Sequence, residues 1–278
     1  MSTHMEGKEN KVIRLHYGDD PNQFGDLRIP DTAGPYPVVV VIHGGFWKSV
    51  YGLDLLEAVS EDLTQHGLAT WNIEYRRVGN EGGSYPGTMQ DVSLATDYVR
   101  TLAPTYNLDL SSVVVIGHSA GGHLAIWTAG RHRLPEESEL RNTTDPLPLK
   151  GAISLGGVLD LEQMWKIFDY KQQTFSTVEI ENPVADLMGG SPYELSERYA
   201  QASPVNLLPL QVPHVLIHGD LDVNVPFKLN AKYEEIAKKQ GDAMKVIILP
   251  EVEHFEITNP ASKVWPTIRA EVMRLIQM

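Results

Sequence analysis

Short, unbroken apolar runs separated by helix-length segments constrain this chain most. Val38–Ile42 reads VVVVI, and Thr70–Tyr75 (TWNIEY), Val113–Ile116 (VVVI), Ala152–Leu155 (AISL), Val215–Ile217 (VLI) and Val246–Leu249 (VIIL) follow it. A strand with one wet face alternates polar and apolar residues, whereas a run that is apolar throughout must be covered on both faces. Between the runs, Leu53–His66 sets Leu53, Leu56, Val59 and Leu63 on one side and stops at Gly67, and Thr88–Leu102 gathers Met89, Val92, Ala95 and Val99. Leu124–Ala129, Leu229–Lys239 and Ser262–Ile276 supply three more helices, with Pro266 near the start of the last. The alternation implies an α/β fold, a mostly parallel central sheet of about eight strands with helices on both faces. Val12–Asp19 and Phe24–Ile29 alternate more weakly and are expected at an antiparallel edge.

The rhythm breaks between Leu155 and Val215, where Pro183, Pro192, Pro204 and Pro209 separate short helical pieces such as Leu161–Phe168 and Pro192–Ala202. Structureless loops of that length are uncommon in compact domains, so a small helical cap-like insertion over one end of the sheet is expected at about 159–210. A chain of 278 residues fits one domain over 11–278, with residues 1–10 a disordered tail.

Composition removes several kinds of chemistry. With no cysteine there is no disulfide framework, thiolate nucleophile, Cys-ligated zinc or iron–sulfur site. Lys and Arg number 23 against 36 Asp and Glu, a net charge of −13 that disfavours a nucleic-acid partner. The polar start Met1–Lys11 lacks the apolar core of a signal peptide, and no run of about 18 apolar residues occurs, so a cytoplasmic protein without a membrane partner is expected. A homodimer is left open.

Gly117-His118-Ser119-Ala120-Gly121 matches G-x-S-x-G between the apolar run Val113–Ile116 and the helical run Gly122–Ala129. A serine at a sharp strand-to-helix turn projects its hydroxyl from the strand end, and the helix that starts there aims free N–H groups at the same spot. A phosphate loop is excluded because its spacing and lysine are absent. His43-Gly44-Gly45-Phe46-Trp47 follows Val38–Ile42 and suits a second donor loop, so the oxyanion donors are assigned to the N–H of Ala120 with those of Gly45 and Phe46. Which of the last two points inward is left open.

A serine nucleophile needs a base and an orienting carboxylate at later strand ends. His254, in the loop after Val246–Pro250, is the expected base. His43 is assigned to bracing its loop, and His118 is expected to turn its side chain away from the chemistry. After Val215–Ile217, Asp222 is preferred to Asp220, which is placed to accept loop N–H groups. No ligand spacing suggests a metal or organic cofactor.

On these residues the chain resembles the α/β-hydrolase superfamily from about Val12 onward. His43-Gly44-Gly45-Phe46-Trp47 and Gly117–Leu124 (GHSAGGHL) are similar to the HGGxW and GHSAGxHL patterns of kynurenine (aryl) formamidases and related small carboxylesterases. The resemblance implies Ser119, Asp222 and His254 as a triad. The expected activity is a serine hydrolase cleaving a small ester or aryl formamide through an acyl-enzyme. A peptidase and a non-catalytic small-ligand binder are the alternatives. Trp47, Tyr85, Trp165 and Phe168 are candidate apolar walls for an aromatic acyl or amine group.

Overall fold

The computed structural model describes residues 12–175 and 180–278, so the tail expected over 1–10 lies outside the described residues. In chain order the elements are β1 (Val12–His16), β2 (Phe24–Arg28), β3 (Tyr36–Ile42), α1 (Glu57–Gln65), β4 (Ala69–Ile73), α2 (Gly87–Asp97), α3 (Val99–Tyr106), β5 (Leu108–His118), α4 (Ala120–Gly130), β6 (Gly151–Leu155), α5 (Leu161–Thr174), α6 (Pro183–Met188), α7 (Ser196–Ala202), β7 (His214–Gly219), α8 (Ala231–Gln240), β8 (Met244–Leu249) and α9 (Trp265–Gln277). The strands form one sheet in the order β1-β2-β4-β3-β5-β6-β7-β8. The pairs β1/β2 and β2/β4 are antiparallel, which puts the weakly alternating segments at one edge, and the remaining pairs are parallel.

The valine runs explain the layers. Val38, Val40 and Ile42 pack into a core with residues of α2, α3 and α4, while Val39 and Val41 pack on the other face with α1 and α9. All five are fully buried. Burying such a side chain stabilises by roughly 1.5–3 kcal/mol, so a sheet of these strands persists only with both faces covered. Helix α4 is buried along its whole length, which is why the sequence AGGHLAIWTAG shows apolar residues all round and no stripe.

Three details differ from the sequence expectations. The strand expected over Thr70–Tyr75 ends at Ile73, because Glu74 and Tyr75 turn away to bond the loop after β3. The single helix expected over Thr88–Leu102 is two, α2 and α3, meeting at Tyr98. Between β6 and β7 the chain folds as α5, α6 and α7, with α5 longer than Leu161–Phe168 and α7 shorter than Pro192–Ala202. Helix α6, not foreseen, starts at Pro183 and is capped by Asn182, whose Oδ1 accepts the N–H groups of Val184 and Ala185.

Parallel strands β3 to β8 all end at the same edge of the sheet. The connections reverse direction between β3 and β5, since β4 lies outside β3 and the chain then crosses back to β5. The crevice outside the carboxyl ends at such a reversal is the usual binding place of an open α/β sheet. The α5–α7 segment packs on this edge: Phe168 meets Phe46, the Tyr85 N–H donates to Leu187 C=O, and Lys48 is ion-paired with Glu181. Among the described residues no helix is long and apolar enough to cross a membrane.

Candidate active site

At the reversal, β5 runs directly into α4 through Ser119, whose φ of 56° and ψ of −119° are strained for a residue with a Cβ. The flanking glycines make the turn sterically feasible. A Cβ on Gly117 would lie 2.0 Å from Gly121 C=O oxygen, and one on Gly121 would lie 2.0 Å from the carbonyl oxygen of Ile42. Ser119 is tied to the next strand by its N–H donating to Leu155 C=O at 2.8 Å, and only 3% of its surface is exposed. The Ala120 N–H is the first of α4 and has no intrahelical acceptor.

The loop after β3 holds three consecutive left-handed residues, Gly45 (φ 103°), Phe46 (49°) and Trp47 (57°). It presses against the serine, since a Cβ on Gly44 would fall 3.0 Å from Ser119 Cβ. Among the described residues, no hydrogen bond uses the N–H of Gly45 or Phe46. The Tyr51 side chain covers Gly45, where an added Cβ would lie 2.5 Å from the Tyr51 Cβ. The loop is braced from behind: His43 Nε2 meets Glu74 Oε1 at 2.7 Å, Tyr75 O–H donates to His43 C=O at 2.9 Å, and the two rings stack 4.5 Å apart. Glu74 also takes Arg77 at 2.9 Å. Burial would raise the Glu74 pKa, but the hydrogen bond and charge of His43, with Arg77, hold it below its ordinary value.

Loops after β7 and β8 supply the acid and the imidazole. His254 Nδ1 lies 2.6 Å from Asp222 Oδ2, while Asp222 Oδ1 accepts the N–H groups of Asn224 (2.9 Å) and Val225 (2.8 Å). His218 Nε2 donates to Val225 C=O at 2.6 Å and stands 3.2 Å from Asp222 Oδ2. Burial alone would raise the Asp222 pKa; hydrogen bonds from His218, His254 and Val225 outweigh it and hold the group well below the usual carboxylate range. Asp220 instead accepts the Glu251 N–H at 2.7 Å.

Two of the sequence assignments need correction. Trp47, a candidate wall, has no exposed surface: its Nε1–H donates to His123 Nδ1 at 3.2 Å, and His123 Nε2 donates to Ala202 C=O at 2.9 Å. It therefore ties the donor loop to α4 and α7 inside the core, and burial pushes the His123 pKa down to about 4. His118 does not turn away from the chemistry; its Nε2 lies 2.9 Å from His254 C=O oxygen, with the rings 4.5 Å apart.

The other candidate walls separate. Phe168 packs edge-on against Phe46 at 5.8 Å, beside the donor loop. Trp165 meets Tyr193 within the α5–α7 segment. Tyr85 stacks under the Arg198 guanidinium at 5.0 Å and lines a cavity with Glu139 and Glu197 that includes none of Ser119, Asp222 or His254. Sequence reasoning missed Phe255, which lies edge-on to His254 at 5.0 Å yet is 64% exposed. Its signal was available, as a large apolar residue directly after a candidate base.

An eight-stranded, mostly parallel sheet with a strained serine between β5 and α4 defines an α/β-hydrolase-fold protein. Solved structures agree on the fold: a truncated carbohydrate esterase from gut microbiota superposes with a TM-score of 0.79 at 19% identity, covering 95% of both chains. The propionate-bound esterase Est2 of Thermogutta terrifontis gives 0.74 at 20% identity, covering 96% of this chain and 93% of that one. Residues 26–235 match the BD-FAE family model, and the chain belongs to the BD-FAE family. Among curated relatives, a probable isoprenylcysteine alpha-carbonyl methylesterase of Oryza sativa subsp. japonica is 25% identical over 254 residues, covering 89% of this chain and 59% of that protein. Esterase LipC of Mycobacterium tuberculosis is 24% identical over 277 residues, covering 95% and 64%. The chain thus spans less than two thirds of the length of these two relatives.

Proposed function

We propose that the chain hydrolyses a small carboxylic ester through a covalent acyl-enzyme, with Ser119 as nucleophile, His254 as base and acid, and Asp222 as the orienting carboxylate. Ser119 Oγ attacks the carbonyl carbon while His254 Nε2 takes its proton. Asp222 keeps the Nδ1–H tautomer facing it and stabilises the imidazolium that forms. The oxyanion receives the N–H of Ala120 and of the Gly45/Phe46 turn. Collapse of the tetrahedral intermediate expels the alkoxide, which leaves with the proton from His254, and water repeats the sequence on the acyl group. The observation that carries this reading is the 2.6 Å contact between His254 and Asp222, on two loops that end at the sheet edge where the strained Ser119 stands.

The similar proteins, a probable methylesterase, an esterase and a carbohydrate esterase, are all named for carboxylic esters, which supports an ester as the reacting group. A short acyl chain suits a serine this buried, next to a loop whose Phe46 packs against Phe168. Aryl formamides remain the second substrate class, favoured by the HGGFW and GHSAGGHL motifs. The test compares kcat/KM on p-nitrophenyl acetate and on N-formylkynurenine for the wild type and Ser119→Ala. Ester turnover that disappears in the folded variant is the expected result. Preference for the formamide would replace the esterase reading, and undiminished turnover by Ser119→Ala would remove the nucleophile.

A further inference from the structure

We infer that His118 is a positioning residue of the hydrolytic site: its imidazole ties the segment that carries Ser119 to the backbone carbonyl of His254, and so sets where the base stands relative to the nucleophile. The inference rests on the reading of Ser119 and His254 as nucleophile and base.

The sheet fixes that relation only indirectly, through β6, β7 and the loop that leaves β8. Strands β5 and β8 are separated by β6 and β7, so at about 4.8 Å per strand their axes lie roughly 14 Å apart. Among the described residues no ladder bond joins the end of β5 to the loop after β8. The Asp222 contact holds one ring nitrogen of His254, but Asp222 stands on the loop after β7 and says nothing of the distance to β5. His118, the last residue of β5, bridges the gap directly, with Nε2 at 2.9 Å from the carbonyl oxygen of His254.

A carbonyl only accepts, so His118 Nε2 carries the hydrogen and Nδ1 keeps a lone pair in the neutral ring. Nδ1 faces the donor loop, 3.4 Å from where a Cβ on Gly44 would stand. One imidazole thus faces the donor loop and bonds the base while adjoining the nucleophile in the chain. Its ring is tilted 46° to that of His254 at 4.5 Å. Burial first, and then the charge that His254 acquires, push the His118 pKa down to about 3, against smaller opposing pulls from the hydrogen bond to the His254 carbonyl and from Asp222. The bridge therefore stays uncharged while His254 becomes an imidazolium, whereas a lysine or arginine here would oppose that protonation.

The experiment compares His118→Leu, which removes the donor, with His118→Gln, whose amide N–H reaches the position of Nε2. Turnover of p-nitrophenyl acetate, fluorophosphonate labelling and thermal melting are measured for each. Displacing a base by about 1 Å costs on the order of 10²-fold, so kcat of His118→Leu is expected to fall about 10- to 100-fold with KM within about threefold of wild type. His118→Gln is expected to recover to within about fivefold of wild type. In the ¹⁵N-labelled wild type, the ring signals lost in His118→Gln should show a neutral Nε2–H form from about pH 5 to 8.

Overturning results are a folded His118→Leu with wild-type kcat, or a folded His118→Gln as slow as the leucine variant. A wild-type ring that titrates or carries its hydrogen on Nδ1 also overturns the inference, and that readout stands even if the leucine variant does not fold. A wild type that neither hydrolyses the ester nor takes the label defeats the underlying reading of Ser119 instead.

Discussion

Gly121→Ala should do the opposite of what helix propensity forecasts. Gly121 is the second residue of α4, and in an exposed helix alanine exceeds glycine by roughly 1 kcal/mol. Here the added Cβ would lie 2.0 Å from the carbonyl oxygen of Ile42 and 2.5 Å from that of His43. Non-bonded heavy atoms settle near about 3.5 Å, so the end of β3 must retreat by roughly 1 Å or more. Both opposing atoms are backbone, and neither can rotate aside. The end of β3 leads into Gly45 and Phe46, so the retreat carries the proposed oxyanion donors away from Ser119. A shift of that size costs about 10²-fold in rate, and full loss of a donor about 10²–10³-fold. Overpacking of this kind costs about 1–3 kcal/mol, more than the helix gains, and lowers Tm by a few degrees. The assay is kcat/KM on p-nitrophenyl acetate, corrected for active sites by fluorophosphonate titration, beside a thermal melt. A variant that melts higher than wild type and keeps kcat/KM within about twofold would refute the steric reasoning.

Two further outcomes follow from the core and the acid. Trp47→Ala should cost about 3–5 kcal/mol, and Trp47→Phe less, both seen as a lower Tm with KM little changed. A raised KM with an unaltered melt would return Trp47 to the substrate pocket. Because the folded-state pKa of Asp222 is depressed, its contribution to stability is complete above the unfolded value of about 3.9 and is lost as pH falls through the lower folded value. The stability gap between wild type and Asp222→Asn in denaturant melts should therefore narrow as pH is lowered below about 4, and a gap that widens would contradict the assignment.

Much of the architecture is legible in the chain because the physics that forms it is local. VVVVI reads as a strand covered twice, and Gly117 to Gly121, between an apolar run and a helical one, reads as a tight strand-to-helix crossing. Helix α6 escaped because PVADLM is too short to show a period, although Asn182-Pro183 marks its start. Trp47 was misread for a different reason. At the third of three consecutive left-handed residues the direction of a side chain is set by tertiary packing, and its partner His123 lies 76 residues away. His118 is the harder case, because its acceptor is a main-chain carbonyl, which leaves no mark in any sequence. Asp222 and Asp220 were separable only by asking which carboxylate had cleared the turn, and the structure gives them different partners, His254 and the Glu251 N–H.

The tyrosine lying over Gly45 binds two positions into one unit of variation. A mutational scan taken one residue at a time would record 45 as intolerant, since every replacement collides with the ring at 51 and meets a backbone angle of 103° besides. Because the Tyr51 Cβ itself stands 2.5 Å from an added Cβ, only glycine at 51 clears the collision, so a library that pairs substitutions at 45 with glycine at 51 samples loop shapes that neither single change can reach.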